Sequence, residues 1–210
     1  MKELRISPSA IKTFVASKAK WCWQYILWIK DEFENDSLLI WKLFENYLFT
    51  GNDDWSILEW QKIQDNEKLV EAYDNLKYNA DWDLFLDWDK QVEVKWDLFG
   101  IPYVWYIDRL TDFIEDIKTS QYLTKDDWVK NMRSGMSYWD EYRLQLYLYS
   151  KATWNRNTRI REYSKFKYKD WCKSKQIIEF IWTDEMYKEM EDKLRPIVEE
   201  MKELWGKFTK

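Results

Sequence analysis

Residues 91 to 120 alternate between apolar and polar. Val92 and Val94, then Leu98 and Phe99, precede Gly100-Ile101-Pro102, and the stretches Tyr103 to Leu110 and Phe113 to Thr119 follow. Period two over this length, interrupted by a Gly-x-Pro turn and by Thr111-Asp112, predicts three strands joined as a meander. The rest of the chain must cover that sheet. Upstream, Ser7 is placed to cap a helix, and Pro8 suits its first turn, where a missing N–H costs nothing. Ile11, Phe14 and Val15 carry the helical spacing, which runs on towards Ile29. Leu38 to Phe49 predicts a second helix, Gly51-Asn52-Asp53-Asp54 a loop, and Ser56 to Tyr78 one or two more helices. Downstream, Glu141 to Ala152 (EYRLQLYLYSKA) returns to helical period, and Arg159 to Tyr168 and Gln176 to Trp182 read as strands. From Thr183 an amphipathic helix follows, with a break expected near Pro196. This order describes one mixed α/β domain over residues 1–210, with N-terminal helices at 7–78, a sheet with its helix at 91–182, and a closing helix at 183–209.

The chain contains no histidine. That removes Ser-His-Asp and Cys-His catalysis and histidine-based zinc sites. Chemistry must come from carboxylates, Lys, Tyr, Ser or an oxygen-ligated metal, and 38 acids supply ligands of the kind that hold Mg²⁺ or Mn²⁺. Cys22 and Cys172 match no zinc or redox spacing. No run of 18 apolar residues exists, so no membrane partner is expected. The start MKELRISPSA lacks an apolar signal core, so a cytoplasmic location is expected. The net charge is −5, yet Lys151 to Lys175 holds nine basic residues against two acids. That window is either a solvated face or a track for a phosphate backbone, with Arg156, Arg159 and Arg161 as candidate DNA contacts.

In a strand, residues two apart share a face, so Asp116 and Lys118 point one way and Ile117 the other, into a core. If the Thr111-Asp112 turn pairs the flanking strands, Asp108 converges with Asp116 on one cation, and the Ile117 carbonyl can add an oxygen. A divalent metal there polarises a phosphodiester, and a neighbouring lysine offsets the charge that develops on it. The (D/E)-x-K tripeptide alone is common, and Glu93-Val94-Lys95, Glu191-Asp192-Lys193 and Glu200-Met201-Lys202 match it too. Only Asp116-Ile117-Lys118 combines a strand, an apolar centre and an upstream acid at hairpin distance.

The stretch GIPYVWYIDRL…FIEDIKTS resembles the core hairpin of RecB-type nucleases of the PD-(D/E)XK superfamily, in which a G-x-P-x-x-G-x-I-D strand precedes a (D/E)-x-K-T strand. ISPSAIKTFVASKAKWCWQYIL, with Tyr25, resembles that family's N-terminal helix; LLIWKLFENYL its G-x-x-x-(H/E) helix; and QLYLYSKA its Q-x-x-x-Y helix. The resemblance covers roughly residues 5 to 182 and implies a restriction-endonuclease-like core. It implies Asp108, Asp116 and Lys118 as catalytic residues, and Glu45, Asp108, Asp116 and the Ile117 carbonyl as ligands of Mg²⁺ or Mn²⁺. Gln145 and Tyr149 would position the lysine or touch DNA. The implied activity is metal-dependent DNA hydrolysis, most simply by an exonuclease of phage recombination, replication or DNA processing. DNA and a phage recombination or replication protein are then the partners, and the host cytoplasm is the location. Other readings stand beside these: an edge-strand ion pair for Asp116 and Lys118, a surface acid for Glu45, a core aromatic for Tyr149, and a non-catalytic nucleic-acid-binding protein on the same fold. Some relatives carry an iron–sulfur cluster on four cysteines. With two cysteines here, and Ser17 about where the first ligand falls, no such cluster is expected.

The chain has 16 tryptophans and 4 glycines. Usual glycine content is about 7%, roughly 15 for this length. Trp41 and Trp105 stand where the family pattern has glycine, and Trp55, Trp88, Trp128 and Trp154 lie in polar, turn-like contexts that suit glycine. The expectation is that many of these are UGA codons that the native genetic code reads as glycine. The competing reading is a genuinely tryptophan-rich protein whose rings stack on single-stranded bases.

Overall fold

A computed structural model describes residues 4, 6–29, 35–51, 58–85, 89–120, 123, 138–165 and 174–208. Trp55, Trp88, Trp128 and Cys172 lie outside them, as do Lys167, Lys169 and Lys173 of the basic window.

Helix α1 (Pro8–Ala16) begins as read, with the Ser7 hydroxyl accepting the Ala10 N–H at 3.1 Å. It does not run to Ile29. Ser17 turns extended and its hydroxyl accepts the Lys20 N–H, capping a separate one-turn helix α2 (Lys18–Trp21) that passes into a π-helical turn, Cys22–Ile26. A serine that can bond the backbone locally competes with helix continuation, and here it wins. Asn35 caps α3 (Asp36–Thr50), which ends at Gly51 in the left-handed conformation, φ +69°. Two helices follow, α4 (Leu58–Ile63) and α5 (Glu67–Asn79), and then a 3₁₀ turn, Trp82–Phe85.

The meander is β1 (Asp89–Leu98), β2 (Ile101–Leu110) and β3 (Ile114–Ser120). Helix α6 (Tyr138–Thr153) precedes β4 (Asn157–Ser164), β5 (Lys175–Ile181) follows, and α7 (Asp184–Phe208) closes the described chain. The strand assigned from Arg159 to Tyr168 thus begins earlier and is strand only to Ser164; residues 166–168 lie outside the described set. Sheet order is β1-β2-β3-β4-β5, antiparallel except for the parallel β3–β4 pair, so the fold is a mixed α/β sheet flanked by helices. The break expected at Pro196 does not occur: α7 is continuous through it. Proline removes one backbone bond, but Met190, Leu194, Val198 and Met201 are all fully buried at helical spacing, and that stripe holds both halves on one axis.

Two cores cover the two faces. One gathers Ile11 and Phe14 of α1, Leu144 and Leu148 of α6 and the α7 stripe against Tyr103, Ile107, Ile114 and Ile160. The other gathers Leu39, Leu43 and Phe44 of α3 and Tyr73 and Leu76 of α5 against Ile117 and Tyr163. Ile117 therefore points into a core, opposite Asp116 and Lys118.

Two irregularities in the sheet position the candidate site. The β1–β2 ladder runs from Leu98↔Ile101 to Val92↔Ile107, omits Gln91 and Asp108, and resumes at Lys90↔Arg109; Gln91 sits at φ +52°. The β2–β3 ladder holds only Arg109↔Glu115 and Leu110↔Ile114, while β3 stays paired with β4 as far as Ser120↔Ser164. Beyond the hairpin end, β2 and β3 part.

Candidate active site between parted strands

Asp108 occupies the point where β2 and β3 separate. Released from the β1 ladder, its Oδ2 accepts the Ile117 N–H at 2.7 Å, replacing the backbone partner that β2 no longer offers. Asp116 is 1% exposed. Lys118 Nζ donates to Asp116 Oδ1 at 2.9 Å and to Gln145 Oε1 at 3.0 Å. The Gln145 amide donates to Asp116 Oδ1 and to the Tyr149 hydroxyl, both at 2.8 Å, and Tyr149 donates to the Tyr106 carbonyl at 3.0 Å. One face of α6 thus bridges β3 to β2 across the gap. The positions i and i+4 of a helix put Gln145 and Tyr149 side by side, so the predicted pair acts as a unit.

Glu45 reaches the same place from α3. Its Oε1 accepts from Gln91 Nε2 at 3.2 Å, and burial raises its pKa against the opposing effects of Gln91 and Lys118. Gln91 was not foreseen from sequence; its left-handed backbone in a strand is the kind of local strain that clusters at functional sites. Together with Trp41, Trp105, Tyr106 and Lys165, these residues line a cleft of about 810 Å³.

The cleft carries excess negative charge. Burial first, and then the adjacent Asp116 charge, push the Asp108 carboxyl up to about 7, with Lys118 and the Ile117 N–H opposing. Desolvation acts to lower the Lys118 pKa, but Asp116, Asp108 and the Asp116 hydrogen bond outweigh it, and the lysine is raised and stays charged. Asp116 Oδ2 lies 2.8 Å from Lys118 Nζ as an ion pair, yet among the described residues it accepts no hydrogen bond of normal geometry, and the nearby buried Tyr103 hydroxyl has no hydrogen-bond partner among them. Among the described residues, no three carboxylate or thiolate groups close into a ready-made metal cluster. The donor set at the strand gap is the two aspartates, with Glu45 on the facing wall.

The arginines proposed as DNA contacts point elsewhere. Glu115, next to Asp116 but on the other face, accepts from Arg109 at 3.0 Å, Arg159 at 3.1 Å and Arg161 at 2.7 Å. Arg161 also pairs with Asp83 at 2.8 Å and Asp81 at 3.2 Å, and both Arg161 and Arg109 are nearly fully buried. Arg159 and Arg161 are held in internal ion pairs: the turn after α5 delivers Asp81 and Asp83 onto Arg161, and Glu179 of β5 pairs with Arg159. Arg156 pairs with Asp184 and stacks over Tyr187 at the start of β4.

Trp41 and Trp105 are both half-buried on the cleft wall, where their rings take up space beside the carboxylates. Trp154 directly follows α6 at φ +59° and is 80% exposed, and Trp28 follows the π-helical turn at φ +58°. Left-handed residues just past a helix end are most often glycine, as Gly51 is after α3.

No protein-family model matches the chain, and no curated protein matches it in sequence. Among solved structures, one from Eubacterium rectale named "Putative exonuclease" is similar over 93% of this chain and 80% of its own, with 18% identity and a TM-score of 0.61. That likeness bears on the fold. A second structure, SSO0001, covers 90% of this chain and 85% of its own at 12% identity, with a TM-score of 0.36. Among the described residues, no helix is long and apolar enough to cross a membrane.

Proposed function

We propose that the protein is a Mg²⁺- or Mn²⁺-dependent DNA nuclease of the PD-(D/E)XK type, RecB-like and acting as an exonuclease in phage recombination, replication or DNA processing. The observation that carries this reading is the meeting of Asp108, Asp116 and Lys118 where β2 and β3 part, with Asp116 Oδ2 ion-paired to Lys118 at 2.8 Å but accepting no well-aligned hydrogen bond among the described residues. The name of the Eubacterium rectale neighbour agrees with it, and the tryptophan pattern is what suggests a phage source.

The residues fit a hard divalent cation. Two carboxylates this close repel unless a proton or a cation lies between them, and the all-oxygen donor set suits Mg²⁺ or Mn²⁺. Asp108 and Asp116 would hold the ion, with the Ile117 carbonyl and Glu45 as further ligands. Bound there, it supplies Lewis-acid polarisation of a phosphodiester. Lys118 keeps its proton and offsets charge building on the phosphate oxygens, or orients the attacking water. Gln145 fixes the lysine by accepting from it, and Tyr149 fixes Gln145 against β2. The test is degradation of end-labelled linear single- and double-stranded DNA in Mg²⁺ or Mn²⁺ and in chelator, comparing the protein with Lys118→Ala. Metal-dependent cleavage from the labelled end, lost in the variant while its circular dichroism still shows a folded protein, is expected. Equal activity in Lys118→Ala sinks the mechanism.

A further inference from the structure

Among the described cations of the basic window, Lys151 pairs with Glu191, Arg156 with Asp184, Arg159 with Glu115 and Glu179, Arg161 with Glu115, Asp81 and Asp83, and Lys175 with Asp81. Lys165 differs. It has no carboxylate partner among the described residues, and it lines the cleft that holds Asp108, Asp116 and Lys118. Its backbone is held: the Lys165 N–H donates to the Ser120 carbonyl at 2.9 Å, extending the β3–β4 ladder by one rung, and the preceding Ser164 N–H donates to the Ser174 carbonyl at 2.8 Å. Desolvation lowers the lysine's pKa, and no anion among the described residues opposes it. A half-buried cation with no ion-pair partner among the described residues is better satisfied when an anion arrives from outside. Lys118 pairs with Glu162 in the ladder, and Lys165 lies three residues further on, roughly 10 Å along the strand.

We propose that Lys165 is a phosphate-binding residue of the cleft, receiving a backbone phosphate that neighbours the scissile one on a nucleic-acid strand. The inference rests on the nuclease reading and adds a substrate contact to it. Lys165 binds a linkage that is not cut, so its work is affinity and register.

The experiment measures binding of a fluorescent single-stranded oligonucleotide in chelator over a series of salt concentrations. The unaltered protein, Lys165→Gln and Lys165→Arg are compared, alongside cleavage in Mg²⁺. Removing one phosphate–lysine interaction from a single strand lowers the log–log salt slope by about 0.7, or about fivefold in affinity at 0.1 M salt. Lys165→Gln shows that loss and Lys165→Arg does not. If Lys165→Gln fails to fold, Lys165→Met, which keeps the aliphatic stem packed, carries the same comparison. A second readout replaces single linkages by neutral methylphosphonate: one replacement weakens the unaltered protein about fivefold and leaves Lys165→Gln no weaker than before. An unchanged slope in Lys165→Gln, or a methylphosphonate profile identical to that of the unaltered protein, overturns the role of Lys165 while cleavage keeps the nuclease reading. An unaltered protein that neither binds nor cleaves overturns both.

Discussion

Glu115 and Asp116 are consecutive in β3, both about 1% exposed, and they face opposite sides of the sheet. Glu115 is saturated: three arginines bond its two oxygens, and Asp81 and Asp83 balance the surplus positive charge. Asp116 has one lysine, one amide and a second aspartate nearby, and burial together with the Asp116 charge pushes the Asp108 carboxyl upward. The same residue class at the same depth thus makes a charge-matched structural node on one side and a carboxylate-rich cleft on the other. The difference is the number of cations each face supplies. A balanced buried cluster has nothing left to bind, whereas a deficit of positive charge is an invitation to a metal.

Breaking each side separately tests the contrast. Asp116→Asn should lower metal-dependent DNA degradation by roughly 10³-fold while the melting temperature holds. Glu115→Gln should cost about 3–5 kcal/mol of stability, because it strands buried arginines, and this shows as a lost or much earlier denaturant midpoint. If Glu115→Gln folds normally, or Asp116→Asn unfolds, the assignment of the two faces is reversed.

Asp108→Asn sharpens the same point from the site's side. The folded pKa of Asp108 is raised above its unfolded value, so between about pH 4 and 7 the folded state holds more protons than the unfolded state. Its contribution to stability is therefore present at the low end of that window and lost as pH rises through about 7. Asn keeps the acceptor for the Ile117 N–H without the charge. In metal-free buffer at pH 8 the variant should be more stable by roughly 1 kcal/mol, a figure reduced for partial exposure. Added Mg²⁺ or Mn²⁺ should raise the melting temperature of the unaltered protein and leave Asp108→Asn unmoved.

The smallest expected effects concern the tryptophans. Trp28→Gly and Trp154→Gly should each stabilise by about 1 kcal/mol, since a non-glycine residue in the left-handed region costs about that much; replacement by Ala should gain less. Trp41→Gly with Trp105→Gly should raise soluble yield and cleavage by clearing the cleft wall, and no gain in either counts against steric crowding. The coding DNA decides the origin of all four. UGG codons at 41, 105 and 154 would end the recoding hypothesis.

Much of the sheet and the candidate site was legible in the chain because it depends on local periods. Alternation in β3 places Asp116 and Lys118 on one face and Ile117 on the other. Helical spacing places Gln145 beside Tyr149. A hairpin returns Asp108 to Asp116. Where the chain begins a new helix was less legible, since Ser17 can be either a helical residue or a cap, and Pro196 either a break or a tolerated gap. A local bond from the Lys20 N–H chose at Ser17, and packing of the buried stripe chose at Pro196. The fates of Arg159, Arg161 and Lys165 were not legible at all. All three lie in one basic window, and what separates them is contact with residues distant in sequence: Asp81 and Asp83 return from some 80 positions away to claim Arg161, and Glu115 pairs with both arginines from β3, while nothing described claims the lysine at the cleft. The sequence by itself determined which residues share a face, because that is a property of the backbone repeat. Only the tertiary structure decided which charges are neutralised, because a counter-ion can come from any part of the chain.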